Sequence, residues 1–389
     1  MTTPTADESA GSLVIATILR EEGNTGVQTH VRQLRKFLLR EGTSIPVVTP
    51  FSRNRRVASA VFAVRPVLSR LSGPAGVVWY RHWHEVFLRR ALRYRLADAG
   101  PCVVYAQEPV AARAALRARR GPNQRVVLAV HFRTSQADEW AGKGEIRPDG
   151  SVFRGIRKLE RKVIPDVDGL VFVSEWAQGA LSGWLPEAGR VRSAVIGNFV
   201  AAAADATTPA PQADLVTTGH LEPVKNHRYL LQVLAAANER GHQLTLDFFG
   251  EGPLLSELRE LAWSLGVATQ VRFRGFQRNI RDFLPGYRAY VHASYSESSS
   301  LAIMEAMAAG LPIVAGNIGP IAELCDDGAE ARFWPLDDPA RGAATLLALL
   351  GDEKARSTAA RAASARFHRD FDAAVVAPRL LSFLVESTP

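Results

Sequence analysis

The chain has 389 residues, is 47% hydrophobic and 22% charged, and carries only two cysteines, Cys102 and Cys325. This composition excludes a disordered or fibrous chain, a disulfide-stapled scaffold and a cysteine-based zinc site, and the length suits two domains. The formal charge of +8 is uneven: residues 1–200 hold 30 Lys and Arg against 17 Asp and Glu, whereas residues 201–389 hold 17 against 22. A basic half of this kind meets nucleic acid, anionic lipid or a phosphorylated substrate, or else is a solvated face.

Asp7 and Glu8 stand in Met1–Ala10, ahead of the first apolar run. That pattern does not read as a signal peptide, and a cytoplasmic location is expected. Leu13–Leu19 reads as a buried strand, and Val27–Leu39 has helical spacing at Val27, Val31, Leu34, Phe37 and Leu38. Ile45–Val48, Cys102–Tyr105, Val126–Val130 and Gly169–Val173 follow as strands with helical stretches between them. Residues 201–213 are small, polar and proline-bearing, and read as a linker. The pattern then restarts with Leu215–Thr218, Leu244–Phe249, Val271–Phe273, Ala289–His292 and Pro312–Ala315. Strand–helix alternation on both sides of a linker predicts α/β architecture: two doubly wound domains in tandem facing a central cleft. Their expected bounds are 1–200 and 214–370, with a C-terminal helical segment at 371–389 that has the option of packing back on the N-terminal domain. The longest charge-free stretch, Ala306–Ala322, holds 17 residues and contains Pro312 and Pro320, so no membrane-spanning helix is expected.

The strongest local signal begins at Ser296-Glu297-Ser298-Ser299-Ser300-Leu301 and runs to Gly310. Ser298–Ser300 suit a helix start, and Gly310 suits its end. Free amides at Ser299, Ser300 and Leu301 would face an anion such as a diphosphate. Glu305 lies among Met304, Ala306 and Met307, where a carboxylate needs hydrogen-bond donors, such as sugar or ribose hydroxyls. Glu297 precedes it by eight residues. A surface glutamate with a core ion pair fits the same spacing.

This segment resembles the Glu-x7-Glu signature of the retaining glycosyltransferases of family 4 (group 1), a resemblance that extends over most of the chain. It implies the GT-B fold, two Rossmann-like domains with a nucleotide-sugar donor. It implies contact of Glu297 with donor-sugar hydroxyls and of Glu305 with the nucleotide ribose. The family carries an aromatic and a glycine where Ser299 and Ser300 stand, a difference that bears on which sugar epimer is accepted. Thr218-Gly219-His220-Leu221-Glu222-Pro223-Val224-Lys225 resembles the family's diphosphate-binding turn. Lys225 matches its lysine, and His220 takes the place of its arginine. Glu22–His30 lies between the first strand and the first helix and resembles the loop near the donor phosphate, with Gly26 matching its second glycine. His131 ends a strand, where a ligand-facing side chain belongs, and a histidine there in the family contacts the donor sugar. Phe273–Asn279 resembles the loop against the nucleobase, so Phe276 or Gln277 would line the base pocket.

No cofactor and no metal are expected. Asp166-Val167-Asp168 leads straight into a strand and reads as turn chemistry. The leaving diphosphate then relies on helix amides and Lys225. The resemblance implies transfer of a sugar to a hydroxyl acceptor, as in glycan assembly or glycosylation of a metabolite or lipid carrier. A nucleotide-sugar 2-epimerase and an inactive glycan-binding relative are the alternatives. No nucleic-acid motif accompanies the basic charge. Phe51–Arg56 with Val57–Leu71, and the arginine–aromatic stretch Trp79–Arg95, suit either an anionic membrane surface at the inner face or, for the second, an amphipathic helix packed on the sheet.

Overall fold

The computed structural model describes residues 12–202 and 213–386. The expected linker, apart from its ends, and the reading of Met1–Ala10 therefore lie outside the described residues. The described chain divides into two compact units, one of residues up to Gly197 together with the chain from Val376, the other Asn198–Val375.

The first unit holds β1 (Ser12–Ala16), α1 (Gly26–Arg40), β2 (Val47–Val48), α2 (Arg55–Phe62), α3 (Arg65–Leu71), α4 (Gly73–Arg95), β3 (Cys102–Ala106), α5 (Pro109–Leu116), β4 (Gln124–Val130), α6 (Gln136–Gly142), α7 (Ser151–Val163), β5 (Gly169–Phe172), α8 (Glu175–Trp184) and β6 (Ser193–Val195). The strands are all parallel, in the order β2-β1-β3-β4-β5-β6. Helices on a parallel sheet bury both of its faces, which is why Val126–Val130 is one unbroken apolar run at 1% exposure or less. β1 stops at Ala16, short of the expected Leu19. Thr17 Oγ1 and the Ile18 amide instead donate to the Glu108 carboxylate at 2.7 and 3.1 Å, which turns the chain away from the sheet. That bond links the ends of β1 and β3, the neighbours at which the strand order reverses.

The second unit holds β7 (Leu215–Thr218), α9 (His227–Asn238), β8 (Leu246–Phe249), α10 (Leu255–Ser264), β9 (Val271–Gly275), β10 (Ala289–His292), α11 (Leu301–Ala308), β11 (Ile313–Gly316), α12 (Gly319–Leu324), β12 (Ala331–Trp334), α13 (Pro339–Gly351) and α14 (Glu353–Asp370). Its order, β12-β11-β10-β7-β8-β9, is again wholly parallel and reverses between β7 and β10. The pleat sends alternate residues to opposite faces. Leu215, Leu246, Ala289 and Val291 join one core, while Val216, Phe249 and Tyr290 join the other. Asp247 points into the second face fully buried, where Arg272 pairs with it at 2.6 Å and the Tyr287 hydroxyl donates at 2.7 Å. A last helix, α15 (Ala373–Val385), carries the chain back to the first unit from Val376. There Arg125 and Arg192 donate to its terminal carbonyls.

β6 and β12 were not among the expected strands. Both lie at a sheet edge, and β12 reads Ala-Arg-Phe-Trp. An edge strand is covered on fewer sides, so it lacks the continuous apolar run that marks an interior one. No described helix is long and apolar enough to cross a membrane.

Candidate functional site

In a doubly wound sheet, ligands bind beyond the strand C-termini at the point of reversal. In the second unit that point lies between β7, which runs into Gly219-His220, and β10, which runs into Ser294–Glu297. The two segments are tied by the Tyr295 amide, which donates to Val224 O at 2.9 Å. Lys225 Nζ donates to Glu297 Oε1 at 2.6 Å, and His292 Nε2 lies 3.1 Å from the same oxygen. The Glu297 side chain is only 10% exposed. Burial opposes its charge, but the Lys225 ammonium and the His292 hydrogen bond outweigh burial and hold the carboxyl well below the usual carboxylate range. The Trp334 indole fixes the His292 backbone carbonyl at 3.2 Å, and Tyr290, on the same strand, bonds Thr218 Oγ1 at 3.1 Å.

Glu305 projects from α11, between buried Met304 and Ala306, and is itself half-buried. Gly310, in the left-handed region at φ 69°, ends this helix as expected. Ser300 occupies the N-cap position and is buried, but its side chain makes no capping bond. Ser300 contributes its carbonyl to Met304 N, and Ser299 Oγ is buried with no partner among the described residues. The amides of Ser300 and Leu301 head the helix, where no preceding turn supplies acceptors.

His220 is exposed, and its Nδ1 lies 3.1 Å from Glu251 O. A carbonyl only accepts, so Nδ1 carries the proton and Nε2 is the free ring nitrogen. The loop is set by glycine. Gly250, at φ 147°, passes so close to Gly219 that an added Cβ would lie 1.9 Å from Gly219 O. Leu221 N then bonds Glu251 O at 3.0 Å. Phe276 and Gln277 stand exposed beyond β9. No contact joins them to Lys225 or Glu297 among the bonds of the described residues.

In the first unit, Thr25 caps α1 in a reciprocal box with Gln28, and Gly26 is the first helical residue. A side chain at Gly26 would meet nothing within 4 Å. His131, beyond β4, gives its Nε2 proton to Gln107 Oε1 at 3.0 Å, and its ring meets that of His30 edge-on at 4.9 Å. Burial, reinforced by His30, holds His131 well below the usual imidazole range, so it is neutral. Glu108, held by Thr17 and Ile18, is pushed up to about 7 by burial. Asp168 Oδ2 accepts from Arg119 and from Val126 N, a purely structural arrangement. Among the described residues no group of three or more His, Cys, Asp or Glu is placed to hold a metal.

Sequence reading missed His292, Gln107 and Glu108. His292 ends a strand just as His131 does, and that signal was there to be read. Gln107 and Glu108 become visible only once β1 and β3 are known to be neighbours.

Residues 203–366 match the family described as glycosyl transferases group 1, and residues 24–203 match glycosyltransferase family 4. A phosphatidyl-myo-inositol mannosyltransferase of Mycolicibacterium smegmatis is 28% identical over 376 residues, 92% of this chain and 89% of that protein. A D-inositol 3-phosphate glycosyltransferase of Corynebacterium efficiens is 32% identical over 179 residues, which is 44% of this chain and less than half, 42%, of that protein. Among solved structures, Anabaena Alr3699/HepE in complex with UDP-glucose superposes with a TM-score of 0.70 at 17% identity, over 96% of this chain and 99% of that one. That likeness is one of fold.

Proposed function

The chain belongs to the group 1 glycosyltransferases of GT-B fold, and from that premise we propose that it moves a sugar, with retention of configuration, from a nucleoside diphosphate donor to a hydroxyl acceptor. The observation that carries this reading is the meeting of Lys225 and Glu297 at the reversal point of the second sheet, beside the start of α11 and on the chain that bears Glu305.

In this reading Lys225, His220 and the amides of Ser299, Ser300 and Leu301 take the diphosphate, and Glu305 takes the ribose hydroxyls. Glu297 takes sugar hydroxyls, and Phe276 or Gln277 lies against the base. Gly26 and His131 of the first unit serve the phosphate and the reacting sugar. The neutral state of His131 suits a hydrogen bond to a sugar hydroxyl rather than to a phosphate charge. The bond from the anomeric carbon to the diphosphate oxygen breaks while the acceptor oxygen bonds to that carbon on the same face. The acceptor proton passes to the departing phosphate, so no enzyme nucleophile is needed. No metal is invoked, and charge stabilisation falls to Lys225 and the amides. UDP is the first nucleotide to test, since HepE is seen with UDP-glucose.

The test is thermal stability with UDP, GDP, ADP and dTDP and their sugars. A ligand that binds only the folded chain raises the melting temperature by mass action. One of the four is expected to do so in the wild type and much less in Lys225→Ala. A chain that none of them stabilises is not a nucleotide-sugar enzyme.

A further inference from the structure

On the helical layer of the first unit, α4, α5 and α7 enclose a cavity of about 470 Å³ that plays no part in the proposed transfer. Arg81 and Arg89 of α4, Arg113 of α5 and Arg117 just after α5 line it, with Glu85 as the one carboxylate on its wall. Glu85 is already shared between Arg113 at 3.2 Å and Arg117 at 2.8 Å. Arg81 is 8% exposed. Its Nη1 donates to Gln136 Oε1 at 2.6 Å, but its Nη2 is buried with no partner among the described residues, and so is Arg89 Nε. Burial lowers Arg81 only to about 10, so it remains a cation at neutral pH. Glu160, which does not line the cavity, attracts Arg81 as well, but the four arginines still outnumber Glu85 and Glu160, and an anion with several oxygens balances that excess.

The cavity adjoins a second one. Val78, His82 and Val152 border it and also border a neighbouring groove of about 550 Å³, whose other walls include Leu68, Trp79 and Trp83. His82 is the only polar side chain lining that groove. Beside it, Val67 and Leu71 of α3 are 57% and 80% exposed. Residues 53–95, which build this face, contain ten arginines and a single acidic residue, Glu85. An arginine-lined cavity opening into an apolar groove matches a ligand with an anionic end and a hydrocarbon end.

We propose that these two cavities hold one anionic lipid, its phosphate among Arg81, Arg89, Arg113 and Arg117 and its chain in the groove at Trp79 and Trp83. The site is independent of the nucleotide reading above, because none of its residues belongs to the donor assignments. A soluble phosphate compound shares the headgroup chemistry but leaves the groove uncovered, and this difference makes the sources separable.

The full chain is titrated by calorimetry with inorganic phosphate, with monomeric dihexanoyl phosphatidic acid, and with dihexanoyl phosphatidylcholine, whose headgroup has no net charge. Phosphatidic acid is expected to bind at least about tenfold more tightly than either of the others. Arg89→Gln, and Arg117→Gln as a second variant should the first fail to fold, weaken phosphatidic acid by about tenfold. Ala75→Gln, an uncharged change at an exposed position that lines the groove and not the arginine cavity, weakens the lipid and spares inorganic phosphate. All these variants keep the nucleotide-induced rise in melting temperature of the wild type. Equal affinity for phosphate and phosphatidic acid, with Ala75→Gln silent, identifies a free-anion site and overturns the lipid assignment. Equal affinity for the two lipids removes the arginines from it, and no binding by any of the three overturns it altogether.

Discussion

Lys225 and Glu297 are 72 residues apart in sequence and meet in an ion pair of 2.6 Å. A diphosphate arriving at Lys225 therefore competes with a carboxylate that already holds the ammonium. The pair keeps the lysine in place before the donor binds, and it links the phosphate end of the donor to the sugar end. Glu297→Gln should then spare nucleoside diphosphate affinity while cutting transfer, since the amide still accepts from Lys225 but binds sugar hydroxyls more weakly. Equal loss of nucleotide binding would place Glu297 on the wrong part of the donor. Glu305→Ala should weaken nucleotide binding by about 1–3 kcal/mol, the scale of a lost charged hydrogen bond, as read by calorimetry. His220 makes a sharper case. Its Nδ1 proton is committed to Glu251 O, so Nε2 can donate to a phosphate oxygen only by gaining a proton. His220→Arg should keep or improve nucleotide affinity, since a guanidinium brings further donors to the same place, and His220→Ala should weaken it. Unchanged affinity in His220→Ala, read by calorimetry, would show that His220 does not reach the phosphate.

The loops that carry these residues hold their shape through backbone packing that no side-chain pattern announces. Gly219 and Gly250 pass back to back, both at positive φ, and Gly252 packs as closely on Leu221, where a Cβ would lie 2.5 Å from Leu221 O. Gly250→Ala should lower both the melting temperature and nucleotide affinity, because its methyl group must displace the backbone that leads into His220. Gly26→Ala is the contrasting case. Its methyl group meets no protein atom, so stability should be unchanged, and any loss should appear in donor use alone. Circular dichroism melts paired with nucleotide titration separate the two. The contrast also marks what the sequence made legible. Interior strands such as β4 and β10 announce themselves as apolar runs, and the Glu297–Glu305 segment announces itself by spacing. Edge strands β6 and β12 lack such a run. The pairing of Lys225 with Glu297, of His131 with Gln107 and of Thr17 with Glu108 depends on which strands become neighbours. Strand order arises from long-range packing, which local periodicity does not encode. The stretch Trp79–Arg95 left two readings open. The structure places it in α4 with Leu88 and Leu92 in the core and Tyr94 exposed.

The two units differ in how protons bear on their stability. In the first, Glu108 and Glu160 are pushed up to about 7 by burial. The folded unit therefore keeps two protons that the unfolded chain releases above about 4.5, and these carboxyls make it less stable as pH rises from 4.5 to 7. His84, lowered to about 4 by burial, and His131 act the other way. Each is neutral in the fold but takes up a proton when unfolded below about 6.5, which removes stability as pH falls. Burial raises Glu139 as well, so groups of opposite effect offset one another and the first unit responds less to acidification from pH 7 to 5 than the second. The second unit has no such balance. His227 is lowered to about 3 by burial, with Lys225 and His292 adding to the effect, and Glu297 and Asp214 lie below the usual carboxylate range. All three make the fold less stable as pH falls, His227 from about 6.5 and the carboxylates below about 4.5. Calorimetric scans of the full chain should thus resolve two transitions, and a stabilising nucleotide should raise chiefly the one belonging to the second unit, which carries most of the proposed donor contacts. At saturation a hundredfold above Kd that stabilisation is about 2.7 kcal/mol. Moving from pH 7 to 5 should lower the nucleotide-sensitive transition more than the other. Glu108→Gln should remove one of the compensating carboxyls, so the other transition falls further on acidification than it does in the wild type. If a single transition is observed, shifted as a whole by nucleotide and by pH, the two units unfold as one cooperative body and the proton balance is shared between them.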